Sequence, residues 1–113
     1  MDDSILDSVK NALGIVTEYR YFDSQILMHV NSVFTILQQL GVGPSDGFSI
    51  EDESAVWSDF LEDPSSLRLV QSYMYLRVRM LFDPPTNSFL MDSMKQQVQE
   101  YEWRLNVAVD PKQ

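Results

Sequence analysis

The stretch QLGVGPSDGFSIEDE, Gln39 to Glu53, gathers three glycines and four acidic residues into one short segment. Two chemistries use such residues. A glycine-rich turn can cradle a phosphate, and clustered carboxylates can hold a hard cation. A dinucleotide fingerprint needs G-x-G-x-x-G opening a helix after a strand. Here Gly41 and Gly43 are followed by Asp46 where the third glycine belongs, and Gly47 comes one place late. The preceding segment has helical periodicity, and no lysine follows as in a phosphate-binding loop. Nucleotide binding is excluded on both counts. A calcium loop needs acids on alternate positions and a distal glutamate. Asp46, Glu51, Asp52 and Glu53 lack that spacing.

The remaining reactive side chains are equally sparse. His29 is the single histidine, set between Met28 and Val30 with no cysteine anywhere in the chain, so no metal-ligand set forms around it. The serines lack a G-x-S-x-G turn and a relay partner. No pair of carboxylates stands out as acid and base. The chain is therefore read as a non-enzyme, with no cofactor and no metal.

Charge narrows the partners. Eight basic residues against seventeen acidic ones give a net charge of −9. A surface of that sign repels a nucleic-acid backbone, which argues against a DNA-binding module. Two roles remain compatible with it: a protein past which DNA slides without sticking, and an acidic mimic of DNA that occupies another protein. No run of about 20 apolar residues is present, so no membrane span is expected. The acidic opening MDDSILDSVK predicts no secretory leader.

The elements that carry these residues read as helical throughout. At 113 residues the chain is expected to be one domain, residues 1–113, with 108–113 a polar C-terminal tail. The fold class is all-α, a small bundle of about four to five helices with a long loop between the second and third. A first helix capped by Asp3 or Ser4 ends at Gly14, with Ile5, Leu6, Val9 and Leu13 on one side. IVTEYRYF then reads as extended, or as a loop packing its aromatics. A second helix spans about Ser24 to Leu40. Asp23 is its expected N-cap, Phe22 and Leu27 form a hydrophobic staple, and Gly41 and Pro44 stop it. Asp52 or Ser54 caps a third helix over Glu53 or Ser54 to Leu61. A fourth runs from Pro64 or Ser65 to Phe82, and a fifth from Asn87 to about Val107. The fifth carries the stripe Leu90, Met94, Val98 (or Gln97), Tyr101 and Leu105.

The fourth helix is apolar on two sides. Leu67, Val70, Met74, Val78 and Leu81 form one stripe, and Leu69, Tyr73, Leu76 and Met80 a second. Either this helix is central and its own neighbours cover both, or the second stripe meets another subunit. Arg68, Arg77 and Arg79 lie among these residues and offer partners to carboxylates inside the fold or on a neighbouring protomer. If they serve an interface, Arg77→Glu or Arg79→Glu weakens assembly and leaves helicity intact. Further interface candidates are Phe48 and Ile50 in the loop, Trp57, and Trp103, which sits off the fifth helix's stripe. Val107 and Val109 belong to NVAVD, an apolar and β-prone terminus able to add a strand or clamp to a neighbour.

Three segments carry a resemblance. FDSQILMHVNSVFTILQQLGVGPSDGFSIEDESAVWSDFL, then YMYLRVRMLFDPP, then MKQQVQEYEWRLNVA, resemble the small head–tail connector proteins (head-completion or adaptor proteins) of tailed bacteriophages. The likeness spans almost the whole chain and lies in segment order, length and texture. It implies a helical bundle assembled as a homo-oligomeric ring, typically dodecameric, beneath the portal protein. Such a ring extends the DNA channel without binding DNA specifically and docks a stopper or tail-completion protein. It also implies residence in the virion neck after synthesis in the host bacterial cytoplasm. No catalytic residue or cofactor comes with the resemblance.

Overall fold

A computed structural model describes residues 4–109, in the order α1 (Ile5–Ala12), α2 (Asp23–Gln39), α3 (Trp57–Phe60), α4 (Pro64–Phe82) and α5 (Ser88–Val109). The fold is an all-α bundle. α4 touches α1, α2 and α5, and so lies at the centre. Val70, Tyr73, Met74 and Val78 on it are buried, while Leu67, Leu69, Leu76 and Met80 are partly buried against the same core. Most of both apolar stripes thus packs against α4's own neighbours. Leu81, at the end of the first stripe, stays exposed, and Leu76 of the second is only partly covered. One hydrophobic cluster draws on all five helices, and also takes in Val42 and Ile50 from the loop between α2 and α3.

Local chemistry explains three of the helix starts. Ser4 Oγ accepts the Asp7 N–H at 3.2 Å and caps α1. Asp63 accepts the Ser66 N–H at 3.1 Å, with Pro64 in the first turn where its missing N–H costs nothing. Asn87 Oδ1 receives the Leu90 N–H at 3.1 Å and caps α5.

Three boundaries differ from expectation. Asp23 is the first residue of α2 rather than its cap, because its carboxylate is drawn sideways into an ion pair with Lys10. Phe22 takes the cap position and lays its ring edge-on against Phe82, 5.2 Å between centroids. α3 is a single turn. Asp52 turns back on Ser54, accepting both its N–H (2.9 Å) and its hydroxyl (2.6 Å), which closes a local turn rather than opening a helix. Ala55 and Val56 are then held extended by the N-terminus: Ile5 N–H donates to Ala55 O at 3.0 Å, and Ser4 bridges Val56. The helix begins only at Trp57, with Val56 N–H on Asp59 Oδ2 at 3.0 Å. Finally, α5 continues helically through Val109, so the stretch expected to be strand-like is helix. Of the expected polar tail, 110–113 lie outside the described residues.

The long loop is pinned along its length. Asn31 on α2 clips Ile50 twice, Nδ2 to its carbonyl at 2.9 Å and Oδ1 from its N–H at 2.8 Å. Gln38 Nε2 reaches Ser45 O at 3.1 Å. Gly43 sits at φ +87° with the Phe60 ring where a Cβ would be, so backbone sign and close approach both demand glycine. These contacts make the loop a packed part of the bundle.

Candidate interaction surface

Three of the expected contact residues turn inward. Ile50 and Trp57 are almost fully buried. Phe48 is half-buried in an aromatic triad with Phe34 (4.9 Å) and Phe60 (5.3 Å). Trp57 donates its indole N–H to Ser8 Oγ at 3.3 Å and packs edge-on against Tyr75. The apolar weight in the loop is there to join it to the core. Ile50 and Trp57 are corrected from contact residues to core residues, because burial in the subunit leaves no side chain to offer a neighbour. What the loop shows to solvent is polar: Ser45, Asp46, Ser49 and the run Glu51 to Ser54. Its acids do not converge, and among the described residues no group of three or more histidine, aspartate or glutamate side chains is placed to hold a metal ion.

The arginines divide. Arg77 is spent inside the fold. It donates through Nε to the Tyr73 hydroxyl at 3.1 Å and pairs with Glu102 Oε2 at 2.7 Å, while the Tyr73 hydroxyl donates to the same oxygen at 2.6 Å. This clasp ties α4 to α5. Arg79 is more exposed and bonds the Asp83 carbonyl at 2.7 Å, leaving the Asp83 carboxylate at 3.9 Å. Arg68 is exposed.

The clasp has a titration consequence. Burial, and then the hydrogen bond to Glu102, push the Tyr73 hydroxyl up to about 12 from its ordinary value near 10. Raised in the folded state, this group contributes stability that is fully present below about pH 10 and is lost as the pH climbs toward 12. The stability gap between wild type and Tyr73→Phe, read by urea unfolding at stepped pH, should therefore narrow above about pH 10. A gap that stays constant to pH 11.5 would contradict the clasp.

A second charge cluster was not anticipated. Lys10 is completely buried, with Nζ 2.7 Å from Asp23 Oδ1 and donating to Thr17 O at 2.9 Å. Arg20 reaches both Asp23 Oδ2 at 3.3 Å and Glu53 Oε1 at 2.8 Å. The chain of charges joins α1, the 13–22 connection, α2 and the long loop. One signal was in the sequence: Lys10 lies four residues after Leu6 and three before Leu13, on the apolar side of its helix.

Apart from Met28 on α2 and Leu81 on α4, the large solvent-facing apolar residues gather in two places. In the 13–22 connection Tyr21 is 77% exposed, and its ring stacks edge-on against Phe22 beside Tyr19. On α5, Met94, Val98 and Leu105 are buried as expected. Leu90, assigned to the same stripe, is exposed, because it lies in the first turn before the helix meets the core. The opposite face of α5 presents Phe89 at 85% and Trp103 at 67% exposure, with Val107 also exposed. Val109 continues the helix, and its side chain lies outside the described residues.

A shallow, largely open groove of about 330 Å³ lies between α4 and α5 beside the end of α1. Ala12, Leu76 and Met94 supply apolar walls, and Ser72, Arg79 and Gln97 supply polar groups. No expected site residue except Arg79 lines it.

A protein-family model described as phage connector protein matches residues 5–112 of this chain. No curated protein and no solved structure matched it.

Proposed function

We propose a function from one premise: the chain belongs to the phage connector protein family. It is a structural component of a phage particle at the head–tail junction. In the finer reading, copies assemble as a ring beneath the portal protein, extend the DNA channel and dock a stopper or tail-completion protein. The match over nearly the entire chain carries this reading. The structure supplies what such a part needs. A packed core gives a rigid subunit. The exposed Trp103, Phe89 and Tyr21 offer anchors for contacts with other proteins. A net charge of −9 lets DNA pass without being held.

The acidic-mimic reading needs rows of free carboxylates. Here Asp23, Glu53, Glu100 and Glu102 are paired with cations, and Asp59 and Asp63 cap helices. That use gives the mimic no support.

Native mass spectrometry of the protein alone, and mixed with the portal protein of the same phage, tests the proposal. The expected result is a closed oligomer of this chain, free or on the portal. A chain that stays monomeric and ignores the portal would overturn it.

A further inference from the structure

We infer that Trp103 of one copy seats in the α4–α5 groove of the next copy. The inference deepens the ring reading and rests on it. Trp103 is a large indole left mostly in water, and it makes no hydrogen bond among the described residues. Tryptophan in that setting gains most from a pocket that removes its ring from water and accepts its N–H. The groove offers an apolar bed for one face of the ring and acceptors beside it. Ala12, Leu76 and Met94 are its apolar walls, and Ser72 and Gln97 bring oxygens that can accept the indole proton.

The surrounding charges match. Glu100 lies about one helical turn before Trp103, exposed and, among the described residues, paired only with the equally exposed Arg104 at 2.6 Å. Arg79 stands at the groove, with its nearest carboxylate at 3.9 Å. A copy that inserts Trp103 carries Glu100 toward that guanidinium.

Placement decides which occupant fits. Met94 lines the groove, and Trp103 follows nine residues later. At 3.6 residues per turn that is about two and a half turns, so the two side chains leave α5 on opposite sides. Knob and groove are therefore different surfaces on opposite flanks of one subunit. A two-fold dimer matches a patch with itself. A knob-into-groove contact is heterologous and repeats from copy to copy until rotation closes it. A second copy is thus the occupant to which both halves already belong.

Two variants test the contact, each changed at an exposed position so that the core is untouched. Trp103→Ala removes the knob and keeps the groove. Ala12→Trp fills the groove and keeps the knob. Under conditions where wild type assembles, each variant alone should lose self-association at least tenfold by analytical ultracentrifugation, with circular dichroism unchanged. Mixed together they should form a 1:1 complex and nothing larger, since one knob and one groove remain. Gln97→Trp serves as a second groove-filling variant if Ala12→Trp alters the circular dichroism. Rings that persist in Trp103→Ala, or folded variants that stay monomeric when mixed, overturn this contact and leave the ring reading standing. Wild type that assembles neither alone nor on the portal overturns the ring reading and this contact with it.

Discussion

Asp23→Ala should destabilise the fold by about 3–5 kcal/mol, measured by urea or thermal unfolding. The reason is the Lys10 ammonium. Its side chain has no exposure to water, and among the described residues its only counter-charge within ion-pair distance is Asp23, at 2.7 Å. Removing the carboxylate leaves a buried positive charge with the Thr17 carbonyl as its remaining bond. Desolvation that the pair had offset then falls on the folded state alone. Asp23 also sits in the first turn of α2, where a negative charge faces the positive end of the helix dipole. A domain of this size has about 5–15 kcal/mol in total, so the loss is a large share of it. The expected fall in Tm is roughly 10–20 °C. Replacing both partners tells the two explanations apart. Lys10→Met with Asp23→Leu removes the charges together and should recover most of the loss, since a buried ion pair contributes little beyond an apolar pair of similar volume. A single variant within about 1 kcal/mol of wild type would mean that the ammonium finds water despite its burial.

Arg20 and Glu53 extend the same chain of charges to the surface, and there the expectation reverses. Both side chains are about half exposed, so their pair contributes little, about 0–1 kcal/mol, and weakens with salt. The cluster therefore holds its strength at its buried end. Its outer end guides the long loop to α1 and α2 without fixing it. The fixing comes from neutral contacts, the Asn31 clip on Ile50 and the Phe34–Phe48–Phe60 triad.

This contrast shows which parts of the molecule are written locally. Helix α4 was legible because its period, its proline start and its Asp-Pro-Pro stop all lie within one segment. Gly41 was legible as the stop of α2 for the same reason. Burial of Trp57 and Ile50 was not. It depends on Ser8, Asn31 and Tyr75, which lie 18 to 49 residues away along the chain. A loop rich in aromatics looks like a contact surface until the partners inside the fold are known. Lys10 misleads in the opposite way. A lysine is expected in water, and only its register on the apolar side of α1 marks it as buried. The second stripe of α4 had two readings from sequence. It took the position of α5, a tertiary fact, to show that most of it is covered within the subunit.

The Arg77 substitution follows from that choice. Arg77→Glu looked from sequence like a clean probe of assembly. It should instead weaken the subunit itself, by on the order of 3 kcal/mol. Arg77 is half-buried between α4 and α5, where burial works against its charge and the bonds to Tyr73 and Glu102 outweigh that penalty to hold the guanidinium above its ordinary value. Its charge also lies 5.7 Å from the centre of the Tyr73 ring. A glutamate there faces Glu102 across the helix pair, loses both donated bonds and sets two carboxylates against each other. Unfolding should show the loss in the isolated chain, before any assembly is measured. Exchanging the pair, Arg77→Glu with Glu102→Arg, restores opposite charges and should recover part of it. Arg79→Glu behaves differently. Among the described residues its side chain bonds only the Asp83 end of its own helix, so stability should change by less than about 1 kcal/mol while assembly weakens if the groove receives a neighbour's Glu100. If Arg77→Glu proves as stable as Arg79→Glu, the α4–α5 clasp carries no weight. The two arginines would then return to being equivalent surface charges.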